Sequence, residues 1–254
     1  MIKSILQTWK GKDIQSFPPL YKICQPSWQE YNPDWKYVMF DDNDIDQFVK
    51  TNFPVYYADI FCKYDKIILK VDIFRCLYLF KNGGVYSDMD SECLRPLDDL
   101  VSNVTDGIIL GQLKSKESPH RIPNATMISR DKGEMFWLFV VLMAIQRLES
   151  DAPVEYKTGP ILLTTAVNIF NNLNDQSIME YLSPYLSIFQ LTECPLKHSK
   201  VTITEPNDFY PICWITEQEQ RIKLLQFRPF LSSQDIQNKY PTAYVINYWT
   251  HFWS

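Results

Sequence analysis

The chain has 254 residues, 46% of them hydrophobic and 22% charged, with a formal charge of −5. That length suits one sizeable core, read as a single domain over residues 1–254, and the acidic balance excludes a nucleic-acid binder, which needs a basic face to exchange counterions with phosphates. No window approaches the roughly 18 apolar residues that span a bilayer, and the opening MIKSILQTWKGKD turns polar too early for a signal peptide; the expected location is the cytoplasm, with the periphery of a membrane left open.

In chain order, KSILQTW reads as a first buried strand and SWQEYNPDW as a short helix stopped before Pro33. KYVMFDD is a second strand ending in acid, and DNDIDQFVKTNF begins with good N-cap residues and reads as a helix. From Asp65 to Phe80 the apolar positions Ile67, Ile68, Val71, Phe74, Leu77 and Phe80 recur at helical spacing, and Asn82-Gly83-Gly84 supplies a left-handed stop. The strand GVYSD follows, and Pro96 is expected to end regular structure in SECLRPLDDL. Further strands are expected at DGIILGQ, NATMISR, KVTITE and TAYVINYW, with helices at GEMFWLFVVLMAIQRL and GPILLTTAVNIF. Alternating strands and helices imply a mixed α/β sheet covered on both faces, with ligands collecting at the carboxyl ends of its strands.

Asp88 and Asp90 fall at such an end. If the strand continues through them, alternate residues point the same way, so both carboxylates approach one site while Met89 faces the core. Two like charges so placed repel, and a divalent cation with oxygen ligands relieves the repulsion. A calcium loop would need glycine and glutamate where Cys93 and Asp99 stand. An aspartate-dependent phosphatase would need a more apolar strand before the acids than GVYS, and stays a minor alternative. Asp72 and Arg75, three residues apart, share a helix face and either reach one ligand or form an intrahelical salt bridge. The six cysteines, Cys24, Cys62, Cys76, Cys93, Cys194 and Cys213, show no metal spacing and are expected to be reduced; Asn103-Val-Thr and Asn124-Ala-Thr carry no meaning without secretion. His120 and His198 read as surface histidines.

The stretch KVDIFRCLYLFKNGGVYSDMDSECLRPLDDL resembles the helix–GGxYxDxD–strand signature of glycosyltransferase family 32, whose members include α-mannosyl, α-galactosyl and capsule-building polysaccharide enzymes. ILQTWKG is similar to the family's HQTWK start, SWQEYNPDWKYVMFDD to its SWxxxNPxYExxLWDD segment, TGPILLT to its TGP loop and YVINYWTHFW to its C-terminal HHWxxSW. The resemblance implies a GT-A α/β fold, a mostly parallel mixed sheet flanked by helices. It also implies retaining transfer from a nucleotide sugar, a UDP- or GDP-hexose, to a glycan or other hydroxyl acceptor.

Carried over by motif, Asp90 binds Mn²⁺ (or Mg²⁺) directly and Asp88 binds the donor and supports the metal. Asp72 and Arg75 contact the donor sugar and diphosphate, and Asn124 the sugar. Trp9 lies near the base or else in the core. Thr158 and Gly159 let the backbone approach a sugar, although Pro160 also suits a helix start. Where the family has histidines this chain has Asn247 and Tyr248, so Asn247 or the more distant His251 is expected to complete the metal site. The competing class is a non-catalytic sugar-binding protein, supported by the 15% aromatic content.

Overall fold

The computed structural model describes residues 1–191 and 196–250; Cys194 and His251 lie outside them. Eight strands are described: β1 (Ser4–Thr8), β2 (Lys36–Phe40), β3 (Gly84–Ser87), β4 (Ser91–Cys93), β5 (Ile108–Leu110), β6 (Thr126–Ser129), β7 (Val201–Ile203) and β8 (Val245–Asn247). Six form one sheet in the order β2-β1-β3-β6-β5-β7, with β6 antiparallel to both neighbours and every other pairing parallel. This is the mixed, mostly parallel sheet flanked by helices that the sequence implies.

The side chains alternate between two cores, as the period of two demands. Leu6, Tyr86, Met127, Ile108 and Leu110 face the larger core with the helices Ile67–Asn82, Met135–Gln146 and Pro160–Phe170. Ile5, Val85, Ile128 and Ile109 face the other, among Trp28, Trp35, Leu97, Tyr210 and Val245. The helix Met135–Gln146 is buried from Met135 through Ala144, so it runs through the larger core, not over its surface. Each such Leu or Phe contributes about 1.5–3 kcal/mol of burial.

Gly84 lets β3 close on β1. Its φ is +93°, and a Cβ there would stand 2.6 Å from the Ser4 carbonyl oxygen, so no other residue fits without moving a strand.

Several sequence expectations are corrected. The helix at SWQEYNPDW begins earlier, covering Tyr21–Tyr31, with Pro26 inside it at the loss of one helical N–H. Pro96 does not end regular structure: it precedes the helix Leu97–Asn103, for which a fixed φ is well suited. The strand expected at TAYVINYW does not join the main sheet; β8 pairs antiparallel with β4 in a separate ribbon, Asn247 opposite Ser91. The helices Asp175–Leu182, Gln218–Phe227 and Ser233–Lys239 occupy a stretch where the sequence suggests only β7. Cys24, Cys62, Cys76, Cys93 and Cys213 are free thiols. Among the described residues no helix is long and apolar enough to cross a membrane.

Candidate active site

At the carboxyl ends of β1 and β3 a cavity of about 510 Å³ opens. Trp9, Asp72, Arg75, Asp88, Asp90, Asn124, Gly159 and Asn247, singled out from sequence, all line it. Thr158 does not line it; it stands 3% exposed and donates to Asp72 Oδ2 at 2.8 Å from behind.

The carboxylates are presented by a turn, which corrects the expectation of a continuing strand. β3 stops at Ser87, and the Ser91 N–H closes on the Asp88 carbonyl at 3.1 Å before β4 begins. The turn is held from β1 by Gln7, whose Nε2 donates to the Asp88 carbonyl at 3.0 Å, while Met89 packs against Phe17 and Tyr21. Asp90, 7% exposed, accepts from the Thr250 N–H at 2.7 Å and the Thr250 hydroxyl at 2.9 Å through Oδ2. Its Oδ1 accepts from Asn247 Nδ2 at 3.1 Å.

Asp88 accepts from the Tyr86 hydroxyl at 2.7 Å and lies 3.3 Å from Arg75. Burial pushes its pKa up to about 7; Arg75 opposes that rise, and the neighbouring charge of Asp90 adds to it. Asp88 keeps 32% of its side chain exposed at the cavity, whereas both oxygens of Asp90 accept hydrogen bonds, so Asp88 is the carboxylate with more open oxygen for a cation; among the described residues no group of three or more His, Cys, Asp or Glu side chains comes together to hold one.

Asn247 stands beside Asp90 and turns its amide nitrogen to it. Its Oδ1 accepts from the Trp249 N–H at 2.7 Å, so the nitrogen end faces Asp90 and Ser91. In this arrangement the Asn247 Nδ2 orients the Asp90 carboxylate and its Oδ1 is held by the Trp249 N–H. The rival, His251, lies outside the described residues.

Asp72 and Arg75 do form the intrahelical pair, at 3.0 Å, but both side chains are about 95% buried and the pair extends into a network. Asp72 also accepts from Asn124 Nδ2 at 2.9 Å, and Arg75 donates to the Asn124 carbonyl at 2.7 Å. The Arg75 guanidinium lies over the Tyr86 ring, 4.4 Å from its centre. Burial raises the pKa of Asp72 against the pull of Arg75. Arg75 Nε is buried without a partner. Gly159 touches this network closely: a Cβ there would meet the Glu155 Cα at 2.9 Å. Trp9 meets Tyr21 edge-on at 4.8 Å; it packs against the cluster of Phe17, Tyr21 and Met89 and also lines the cavity.

Sequence reasoning missed Asp42, Glu155, His120 and Trp214 on the same wall. The double acid after β2 could have signalled Asp42. His120 is half-buried: its ring stands edge-on to Trp214 at 5.5 Å, and burial lowers its pKa. His198 is also partnered, paired with Asp175 and set against the Phe170 ring at 5.1 Å.

Residues 18–105 match the family described as "Glycosyltransferase sugar-binding region containing DXD motif". The chain is 41% identical over 105 residues to an initiation-specific alpha-1,6-mannosyltransferase of Candida albicans, covering 40% of this chain and 27% of the relative. It is 29% identical over 184 residues to inositol phosphoceramide mannosyltransferase 3 of Schizosaccharomyces pombe, covering 71% and 48%. It is also 35% identical over 167 residues to the mannosyl phosphorylinositol ceramide synthase SUR1 of Saccharomyces cerevisiae, covering 64% and 40%. The chain thus spans less than half the length of these curated relatives.

Proposed function

We propose that this chain, which belongs to the DXD-containing glycosyltransferases, moves a hexose from a nucleotide-diphosphate sugar to a hydroxyl of a glycan or other polyol, with retention at the anomeric carbon. The observation that carries the reading is one cavity into which the DxD turn, the Asp72–Arg75–Asn124 network and Trp9 converge. On this reading residues 1–254 act as one GT-A-type domain, working in the cytoplasm, alone or at the periphery of a membrane. Because the relatives are named mannosyltransferases, mannose is the first donor sugar to test.

Asp90 and Asp88 would hold Mn²⁺ or Mg²⁺, and the ion would supply positive charge to the donor diphosphate as it leaves. The remaining work falls to the chain. Trp9 offers a face to the base and Lys10, with Nζ 5.3 Å from that ring, a cation to the phosphates. Arg75, fixed by Asp72 and Asn124, offers donors to sugar hydroxyls or a phosphate oxygen. Asn247 and Thr250 hold Asp90 in place. The acceptor hydroxyl attacks on the face from which the diphosphate departs, forming the new C–O bond as the old one breaks, and a phosphate oxygen takes its proton.

The test is a screen of GDP- and UDP-hexoses with Mn²⁺, reading release of the nucleoside diphosphate. Release with GDP-mannose or another hexose donor supports the reading. Tight donor binding with no turnover on any acceptor or water would favour the non-catalytic sugar-binding class.

A further inference from the structure

The cavity extends well beyond the DxD turn, and its two ends differ in charge. Along the sheet order β2-β1-β3-β6-β5-β7, Trp9 and Lys10 follow β1 and the carboxylate turn follows β3. His120 lies in the connection between β5 and β6, and Trp214 beyond β7, so both stand on the opposite side of the turn from Trp9. Glu155, from the short helix Val154–Lys157, lines the same cavity, and its charge acts on both Asp72 and His120.

Among the described residues that line the cavity the basic side chains are Lys10 and Arg75. Arg75 is committed to Asp72 and Asp88, and Lys10 stands at the Trp9 end. Among the described residues, the end bounded by His120, Trp214 and Glu155 therefore carries a carboxylate and no basic side chain in its lining. A phosphate there would be desolvated against Glu155 with no partner, which is unfavourable. A sugar ring or cyclitol suits the same surface, because a half-buried indole offers an apolar face to C–H groups while a carboxylate and an imidazole bond its hydroxyls.

His120 supplies the directional element. Its Nδ1 is buried without a partner. Among the described residues Nε2 makes no hydrogen bond, and the ring lines the cavity, so this is the nitrogen that faces an occupant. An orphaned lone pair costs less than an orphaned N–H, so the proton belongs on Nε2, and the ring presents a donor to the cavity.

Resting on the transferase reading, we infer that His120, Trp214 and Glu155 form the acceptor subsite and that it takes an uncharged polyol ring, not a phosphorylated one. His120 is here a positioning residue for the hydroxyl-bearing ring.

The experiment uses the full chain with the donor identified in the screen, and compares methyl α-mannoside and myo-inositol with mannose 6-phosphate and inositol 1-phosphate as acceptors. Neutral acceptors should exceed their phosphates at least tenfold in kcat/KM. His120→Ala and Trp214→Ala should raise the acceptor KM at least tenfold, while the Kd for the nucleoside diphosphate, measured by calorimetry, stays within about twofold of wild type. His120→Gln, whose amide nitrogen reaches the place of Nε2, should recover most of the lost affinity. Preference for the phosphorylated acceptors would overturn the inference, as would an unchanged acceptor KM in both alanine variants. A wild-type chain that binds no nucleoside diphosphate would strike the transferase reading itself, and the inference with it.

Discussion

Two buried arginine–carboxylate clusters lie on either side of the DxD turn, and they differ in completeness. In the first, Arg75 joins Asp72 and Asp88, yet its Nε has no partner and Asp88 keeps part of its surface open to the cavity. In the second, Arg228 meets Glu92 through two nitrogens, its Nε also reaches the Tyr248 hydroxyl at 2.9 Å, and it donates to the Leu231 carbonyl at 2.6 Å. Tyr248 and Ser233 add donors to Glu92, and both charged groups are 2% exposed or less. The second cluster ties β4 and β8 to the segment after Gln218–Phe227 and leaves nothing for a ligand. Burial of charge is common to both; capacity left over for a ligand distinguishes the one facing the cavity.

The comparison makes its largest claim about chemistry. Asp90→Ala should reduce nucleoside diphosphate release by about 10²–10³-fold or more, because charge stabilisation of a leaving group commonly has that size. The folded state should persist, as judged by an unchanged circular dichroism spectrum. Activity of wild type undiminished in excess EDTA would count against a metal at this turn.

Arg228→Ala should leave activity per folded molecule near normal but lower stability by about 3–5 kcal/mol, since it strands Glu92 as an unpaired buried charge. Urea unfolding measures the loss. The double change Glu92→Gln with Arg228→Met should recover much of it, because a neutral pair no longer needs the counter-charge. If the double variant unfolds as readily as the single one, the cluster contributes more than charge balance.

Asp72→Ala should do both kinds of harm. It frees Arg75 from its nearest anion and leaves Asn124 Nδ2 and the Thr158 hydroxyl without their acceptor, so a loss of about 2–4 kcal/mol is expected alongside a donor KM raised at least tenfold. The alternative to a ligand site read from the sequence was an intrahelical salt bridge; that pair is present, but buried and extended into a network with Asn124 and Thr158. A stability loss with an unchanged donor KM would move this cluster to the structural side of the comparison.

The DxD turn was legible because its signal is local: two glycines, a short strand and two acids within eight residues. Trp9, Arg75 and Asn247 were legible only through the order of separate blocks along the chain. Glu92 and Arg228, 136 positions apart, were not, since no local pattern marks a pair made by tertiary packing. His120 was lost for a related reason. It sits in the polar run SKESPHRIP, and its burial comes from Trp214, which the loop beyond β7 brings against it. Asn247 was placed correctly in space, but its amide orientation depends on the Trp249 N–H, which spacing does not encode.

The smallest expected effect tests whether an incomplete buried group always marks the active region. Glu134 is 1% exposed; Oε1 accepts from the Ser199 hydroxyl at 3.0 Å and Oε2 has no partner, yet it lines a separate cavity of about 460 Å³. That cavity sits where β5 and β7 begin, at the opposite end of the sheet from the DxD turn. Burial raises the pKa of Glu134 above its ordinary 4.5, with Ser199 and Lys197 opposing the shift. A carboxyl whose folded value lies above its unfolded one holds its proton in the folded state after the unfolded chain has released it. Stability therefore falls as pH rises from about 4.5 up to the folded value, and levels off above it. Glu134→Gln removes this proton linkage, so wild type should lose stability relative to the variant as pH rises above the ordinary glutamate range, in urea unfolding at several pH values. Sugar transfer should be unchanged. If Glu134→Gln instead depresses transfer, the two ends of the sheet are coupled, and unfinished pairing marks function at both; parallel pH profiles for the two proteins would show that Glu134 is ionised in the folded chain and already satisfied.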